Sequence, residues 1–191
     1  MSFVHDVVEL VATHGHALTG KAEHWARVPL GAIARVVNGY PFESAWFNGE
    51  QGQPVIRIRD VVPGKATTFY SGRQVDAPLV AMNELVVGMD GDFNSRLWPS
   101  EPALLNQRVC KIVPDQRVYS NRLLAYVLPG YLKLINDHTS AITVKHLSSL
   151  TVQQLSIPLP PRNEQDRLVD KLDELFAALV TFDPLFPIVS P

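Results

Sequence analysis

The closing stretch of the chain places the strictest condition on how it folds. After Pro160-Pro161, the run RNEQDRLVDKLDELFAALV sets Leu168, Leu172, Leu175 and Leu179 at successive spacings of four, three and four residues, the pattern of a coiled-coil seam. Val169 and Phe176 widen the stripe, Glu164 and Asp166 fall in the first turn where the helix dipole favours acids, and Pro184 ends the run. A helix of this length with a single apolar stripe is marginal in water. It needs a partner, either an equivalent helix in a second chain or the flank of its own domain. Leu168, Leu172, Leu175, Phe176 and Leu179 are therefore the candidate subunit-interface residues.

The rest of the chain divides by its hydrophobic period. FVHDVVELVATHG carries Val4, Val7, Val8 and Val11 at helical spacing with Gly15 or Gly20 to stop it, so residues 1–26 read as a short amphipathic helix and a polar connector. VPLGAIARVVNG shows a second helical period, with Leu30, Ile33, Ala34 and Val37 on one face. From Tyr40 to Pro114 the pattern turns to short strands. PVIRIRDV sets Ile56 and Ile58 against Arg57 and Arg59, and ELVVGMDG and QRVCKIVP are β-rich runs bounded by turn residues. Residues 120–138 return to a helical composition that Pro129-Gly130 should break or kink, and KHLSSLTVQQLSIPLPP reads as a helical turn followed by a strand. The expected fold is α/β (α+β): a mainly β domain over 27–160 with flanking helices, then a C-terminal coiled-coil-like helix within 161–191.

Composition excludes several classes. With 191 residues, 46% of them hydrophobic, the chain is long enough to bury an ordinary core. Its apolar runs fall far short of the roughly 20 residues a membrane span requires, and no basic-then-apolar leader opens it, so a cytoplasmic protein is expected. The net charge of −2 hides an uneven distribution: residues 27–160 hold thirteen Lys/Arg against ten acids, while both flanks are acidic. A basic middle permits nucleic-acid binding, which depends on local surface rather than total charge.

Catalytic and metal signals are weak. Asp90 and Asp92 in GMDGDFN offer too few oxygen ligands for a hard cation and read as a turn. His14 and His16 lack companions at zinc spacing, and Cys110, in the alternating run NQRVCKIV, reads as a buried strand residue. There is no Gly-rich phosphate loop, nucleophile elbow, dinucleotide fingerprint or Asn/Asp-Pro-Pro-Tyr/Phe run. No catalytic residue, cofactor or metal is expected.

Six segments in order, VPLGAIARVVNGYPFES (28–44), PVIRIRDV (54–61), NELVVGMDGDFN (83–94), LLNQRVCKI (104–112), TSAITVKHLSSL (139–150) and IPLPPRNEQDRLVDKLDEL (157–175), resemble the specificity subunits of type I restriction-modification enzymes. The resemblance implies a target-recognition domain that reads one half of a bipartite double-stranded DNA site and performs no chemistry. It also implies helices that dock methyltransferase (modification) subunits, and through them a restriction subunit. Such subunits normally carry two recognition domains and this chain matches one, while LVTFDPLFPIVSP ends the helix sooner than the family's spacers. The alternatives left by the residues are a homodimer through the C-terminal helix and a truncated docking fragment without useful DNA affinity.

Sequence readers need groups that reach base edges and groups that hold phosphates. Arg57 and Arg59 form a basic stripe or a merely solvated strand face, and Lys65 and Arg73 add charge in nearby loops. Tyr40 in GYPFESAWFN either stacks or anchors, whereas Phe42 reads as core. Asn94 and Arg96 combine an amide with a guanidinium, and Thr143 and Lys145 precede a helical turn suited to phosphate. Asn106 and Gln107 read as residues that satisfy loop backbone rather than bases.

Overall fold

The computed structural model describes residues 19–139 and 146–182. The helix expected over residues 4–11, together with His14, His16, Thr143, Lys145 and Pro184, lies outside the described residues. The elements run β1 (Ala26–Pro29), β2 (Ala34–Asn38), β3 (Phe47–Asn48), β4 (Gln53–Ile56), the helical turn α1 (Ile58–Val61), β5 (Thr68–Tyr70), β6 (Leu79–Val80) and β7 (Leu85–Gly88). They continue with β8 (Ser95–Leu97), β9 (Ala103–Leu105), β10 (Val109–Pro114), α2 (Asn121–His138), α3 (Ser149–Gln154), β11 (Ser156–Leu159) and α4 (Arg162–Phe182). The fold is mixed α/β with several sheets and a C-terminal helix. Among the described residues no helix is long and apolar enough to cross a membrane.

Strand alternation builds the layers. Strands β2-β10-β7-β8 form an antiparallel sheet, and β3-β5-β4-β9-β6 form a second sheet in which β4 and β9 run parallel. In β7, Leu85 and Val87 face a core shared with α2, α3 and α4, while Val86 faces the second sheet. In β10, Cys110 and Ile112 take the helical side and Val109 the other. Period-two alternation with both faces covered explains why β7 is apolar and buried throughout. Burial pushes the Cys110 thiol up to about 12, as suits a packing residue. On the far side, Ile56 of β4 and Leu105 of β9 close the inter-sheet core around Trp98, whose indole N–H donates to Glu101 O at 2.8 Å.

One helical expectation is corrected and another is narrowed. Residues 28–39 form β1, a 3-10 turn at Leu30–Ala32 and β2 rather than a helix. Leu30 N donates to Leu155 O at 2.8 Å, and β2 registers along β10 from Ala34↔Pro114 to Asn38↔Cys110, so pairing with a buried strand overrides the helical period. Of the break or kink expected at Pro129-Gly130, the break does not occur, because α2 runs through Pro129. Leu124, Leu128, Tyr131, Leu132 and Ile135 are buried along that helix, and this packing outweighs the one backbone bond the proline removes.

The C-terminal helix is tied to the domain by its entry. Gln165 is fully buried with every amide position engaged: Oε1 accepts from Ser120 N at 2.7 Å, and Nε2 donates to Val118 O and Pro160 O at 2.9 Å. Glu164 accepts from the Trp25 indole at 2.9 Å and lies 3.1 Å from His24 Nε2. Leu168, Val169 and Leu172 then pack on the main core, and Phe176 stacks on Tyr126 with ring centroids 5.3 Å apart. Leu175 and Leu179 are left 50% and 54% exposed. The leucine stripe is thus divided between its own domain and a free surface.

The Trp25 indole and the His24 ring hold the Glu164 carboxyl below the usual carboxylate range. A depressed folded pKa contributes stability that is present above the unfolded value, about 4.3, and is lost as pH falls through the folded value. Thermal unfolding of Glu164→Gln should therefore give a lower midpoint than the wild type at pH 7. The gap should close at acid pH, where the wild-type group is protonated as well.

Candidate nucleic-acid interface

The outer face of the five-stranded sheet carries a small aromatic core. Phe42, Val55, Tyr70 and Leu104 are buried there, with Tyr40 and Phe47 packed against them. Tyr40 meets Phe42 edge-on at 5.0 Å, and Phe42 lies 4.8 Å from Tyr70. Gly39 permits this approach, because a Cβ there would stand 2.0 Å from Asn106 O. Tyr40 N donates to Leu105 O at 2.7 Å and Gln107 N donates to Tyr40 O at 3.0 Å. Phe42 is a core residue as its sequence context suggests, and Asn106 and Gln107 bond the neighbouring segments through their main chain, with Asn106 N donating to Ile56 O at 3.1 Å.

Arg57 and Arg59 come together by a route the alternation does not foretell. The strand ends at Ile56 and the chain turns into α1, so the two arginines do not share a strand face. The cause is Asp60, which is 1% exposed and accepts from Arg57 N at 2.9 Å and from the Thr67 hydroxyl at 2.8 Å. The Arg57 guanidinium lies 5.4 Å from the centre of the Phe47 ring, and Arg59 Nη2 donates to Thr68 Oγ1 at 2.8 Å. Both line one cavity of about 260 Å³ with Asn48, Gly49, Thr67 and Thr68.

The distribution of ion pairs separates this layer from the helical one. Lys111 pairs with Glu84 at 2.9 Å, Arg122 with Asp173 at 2.5 Å and Arg108 with Asp90 at 3.2 Å. Among the described residues, no carboxylate pairs with Arg57, Arg59, Lys65 or Arg73. Lys65 is exposed in the loop between α1 and β5, and Arg73 is exposed just beyond β5.

Asn94 and Arg96 lie elsewhere. Asn94 is exposed in the β7–β8 turn, where its Nδ2 donates to Asp92 O at 2.7 Å. Arg96 belongs to β8 rather than to a polar loop; its Nη1 donates to Val62 O, and it lines a separate cavity with Tyr126 and Phe176. Asp90 sits in the expected turn, with Gly91 at φ 68°, and is 2.6 Å from His146 Nδ1. No group of three or more potential metal ligands occurs among the described residues. The structure thus places Tyr40, Arg57, Arg59 and Arg73 in the segments around the five-stranded sheet and leaves Asn94 and Arg96 with the other sheet.

The comparisons with known proteins agree with this architecture. The family model described as "Type I restriction modification DNA specificity domain" matches residues 22–182. The chain belongs to that family. The EcoBI type I restriction enzyme specificity subunit of Escherichia coli is 47% identical to this specificity-family chain over 178 residues, covering 93% of this chain and 38% of that subunit. The EcoAI specificity subunit of the same organism is 29% identical over 172 residues, covering 80% of this chain and 28% of that subunit. The chain therefore spans well under half the length of these curated relatives.

Among solved structures, the HsdS subunit from Thermoanaerobacter tengcongensis superposes with a TM-score of 0.65 at 17% identity, over 93% of this chain and 44% of that one. A chain from a type I R-M system, solved in work on its complex assembly and conformational transition, gives 0.67 at 19%, over 94% and 46%. At these identities the likeness shows the fold. The specificity family is non-catalytic, and both curated relatives are named as specificity subunits.

Asp60 is the residue on which the arginine pair depends. Asp60→Ala leaves the Arg57 amide and the Thr67 hydroxyl without their acceptor, at a cost of about 1–3 kcal/mol. Urea unfolding should show that destabilisation, with a larger effect than Arg59→Ala at the exposed end of the same turn.

Proposed function

We propose that the chain recognises a specific DNA sequence without modifying it, reading one half of a bipartite site and lending that specificity to type I modification and restriction subunits. Residues 27–160 form the recognition domain, residues 161–191 begin the spacer, and the protein works in the cytoplasm. The observation that carries the reading is the pair of arginines that line one cavity with Phe47 and Thr68, with no carboxylate partner among the described residues, beside a sheet of the specificity fold. Tyr40, Lys65 and Arg73 extend this face. Asn94 and Arg96 are candidate contacts along a second edge, and Thr143 and Lys145 are candidates by residue type alone.

Selection from a randomised duplex pool tests the reading. A short enriched motif supports it; retention without enrichment favours a fragment that docks subunits and does not read DNA. Arg57→Ala with Arg59→Ala should weaken binding about tenfold or more and flatten the salt dependence by roughly one unit of slope for each phosphate no longer held. Unchanged affinity would remove both arginines from the interface.

The exposed half of the C-terminal stripe suits a methyltransferase subunit or a second copy of the helix. Leu175 and Leu179 are the free apolar residues, continuous with Phe176, whereas Leu168 and Leu172 are largely committed to the domain. Leu175→Glu with Leu179→Glu should abolish co-purification with the modification subunit while shifting stability by no more than about 0.5 kcal/mol per site. Loss of dimer alone, with the modification subunit still bound, would assign the stripe to self-association.

A further inference from the structure

The loop over residues 49–52 crosses the Tyr70 end of β5, and residues from both sides of that strand meet there. Strands β3 and β4 flank β5, and Phe47 and Gln53 both register against Tyr70. Gly52 makes the crossing with φ 107°, where a Cβ would stand 2.1 Å from Tyr70 O. Asn48 braces the start of the loop: its Oδ1 accepts from Glu50 N and Gln51 N at 2.9 and 2.7 Å, and its Nδ2 donates to Ser71 Oγ at 3.2 Å. The chain leaves β5 at the same end, through Ser71 and Gly72.

A groove of about 800 Å³ results, with Gln51, Gln53, Arg73 and Gln74 among its polar lining. All four are exposed, and among the described residues none of their side chains is engaged in a hydrogen bond or ion pair. Two kinds of contact are needed on a duplex. Carboxamides match the N6/N7 edge of adenine and guanidiniums the O6/N7 edge of guanine, whereas phosphates require a held positive charge. The free amides and Arg73 fit the first requirement. Arg57 and Arg59, steadied by Phe47 and Thr68, fit the second.

The geometry points to a division of labour, in which the groove at Tyr70 reads base edges through Gln51, Gln53, Arg73 and Gln74 while Arg57 and Arg59 clamp the neighbouring phosphates. This rests on the DNA-recognition reading above, adds Gln51, Gln53 and Gln74, which that reading leaves out, and gives Arg73 a role at a base edge. Thr68 at the arginine cavity and Tyr70 at the groove are two residues apart on β5, about 7 Å at roughly 3.3 Å per residue. That separation fits within one major groove, about 12 Å wide, and its phosphate wall.

The test is selection from a randomised duplex pool with the full chain, run in parallel on wild type, Gln53→Ala, Arg73→Ala and the double variant Arg57→Ala/Arg59→Ala, each checked for an unchanged circular dichroism spectrum. Gln53→Ala and Arg73→Ala are expected to relax different single positions of the motif, a preference of roughly 5- to 100-fold falling toward one. Gln53→Ala should leave the salt slope unchanged, and the double arginine variant should keep the motif and lose slope. Gln53→Glu provides a second check, because exchanging the amide for an acceptor should move that position toward cytosine. A wild-type motif retained by Gln53→Ala, Gln53→Glu and Arg73→Ala would overturn the division while leaving DNA recognition standing. No enrichment by the wild type would overturn the recognition reading itself, and this inference with it.

Discussion

Strand β7 is apolar and buried on both faces, and that double burial couples the two halves of the molecule. Leu85 and Val87 lock it to the helices, Val86 locks it to the second sheet, and β10 repeats the arrangement with Cys110, Ile112 and Val109. Interiors packed to crystal-like density transmit displacement rather than absorb it. The aromatic and arginine face therefore stands on a rigid base: β4 and β9 pair in parallel, Ile56 and Leu105 face the inter-sheet core, and Val55 and Leu104 face outward to support Phe42 and Tyr70. A side chain on the five-stranded sheet is positioned by the same alternation that fills the core beneath it.

The elements legible in the sequence are those whose period is set by one dominant contact. Strands β7 and β10, the α3 turn with β11, and α4 each follow their apolar spacing. Residues 28–39 mislead because Leu30, Ile33 and Val37 happen to recur at helical intervals, while the decisive partner, β10, lies more than seventy residues away. Pro129 does not break its helix, since a strong local breaker is outweighed by a buried face. The proposed recognition face is legible only in residue type. Arg57 with Phe47 and Arg59 with Thr68 are contacts across loops, and the buried carboxylate of Asp60 that bends the chain between them looks in sequence like an ordinary charged strand position.

Charge placement explains how an acidic chain presents a basic face. In the helical layer the cations are largely answered at short range: Arg122 and Tyr126 share Asp173, Arg162 meets Asp166, and Lys171 meets Glu174. Those pairs have little reach beyond a Debye length of about 8 Å at physiological salt. Among the described residues the cations around β5 carry no such partners, so their field is available to a ligand although the chain as a whole is at −2.

The C-terminal helix is shared out in the same way between its own domain and the outside. Gln165 and Glu164 fix its first turn to the N-terminus of α2 and to Trp25, and Leu168, Val169 and Leu172 commit the next two turns to the domain core. Only then does the stripe emerge, at Leu175 and Leu179, on a helix that continues in a direction the domain has already set. A partner seated on those two leucines is joined, through one continuous helix and the β7–β10 wall, to the sheet that carries Arg57 and Arg59. Orientation of the proposed reading face relative to such a partner follows from packing in this chain and requires no additional contact between the partner and the five-stranded sheet.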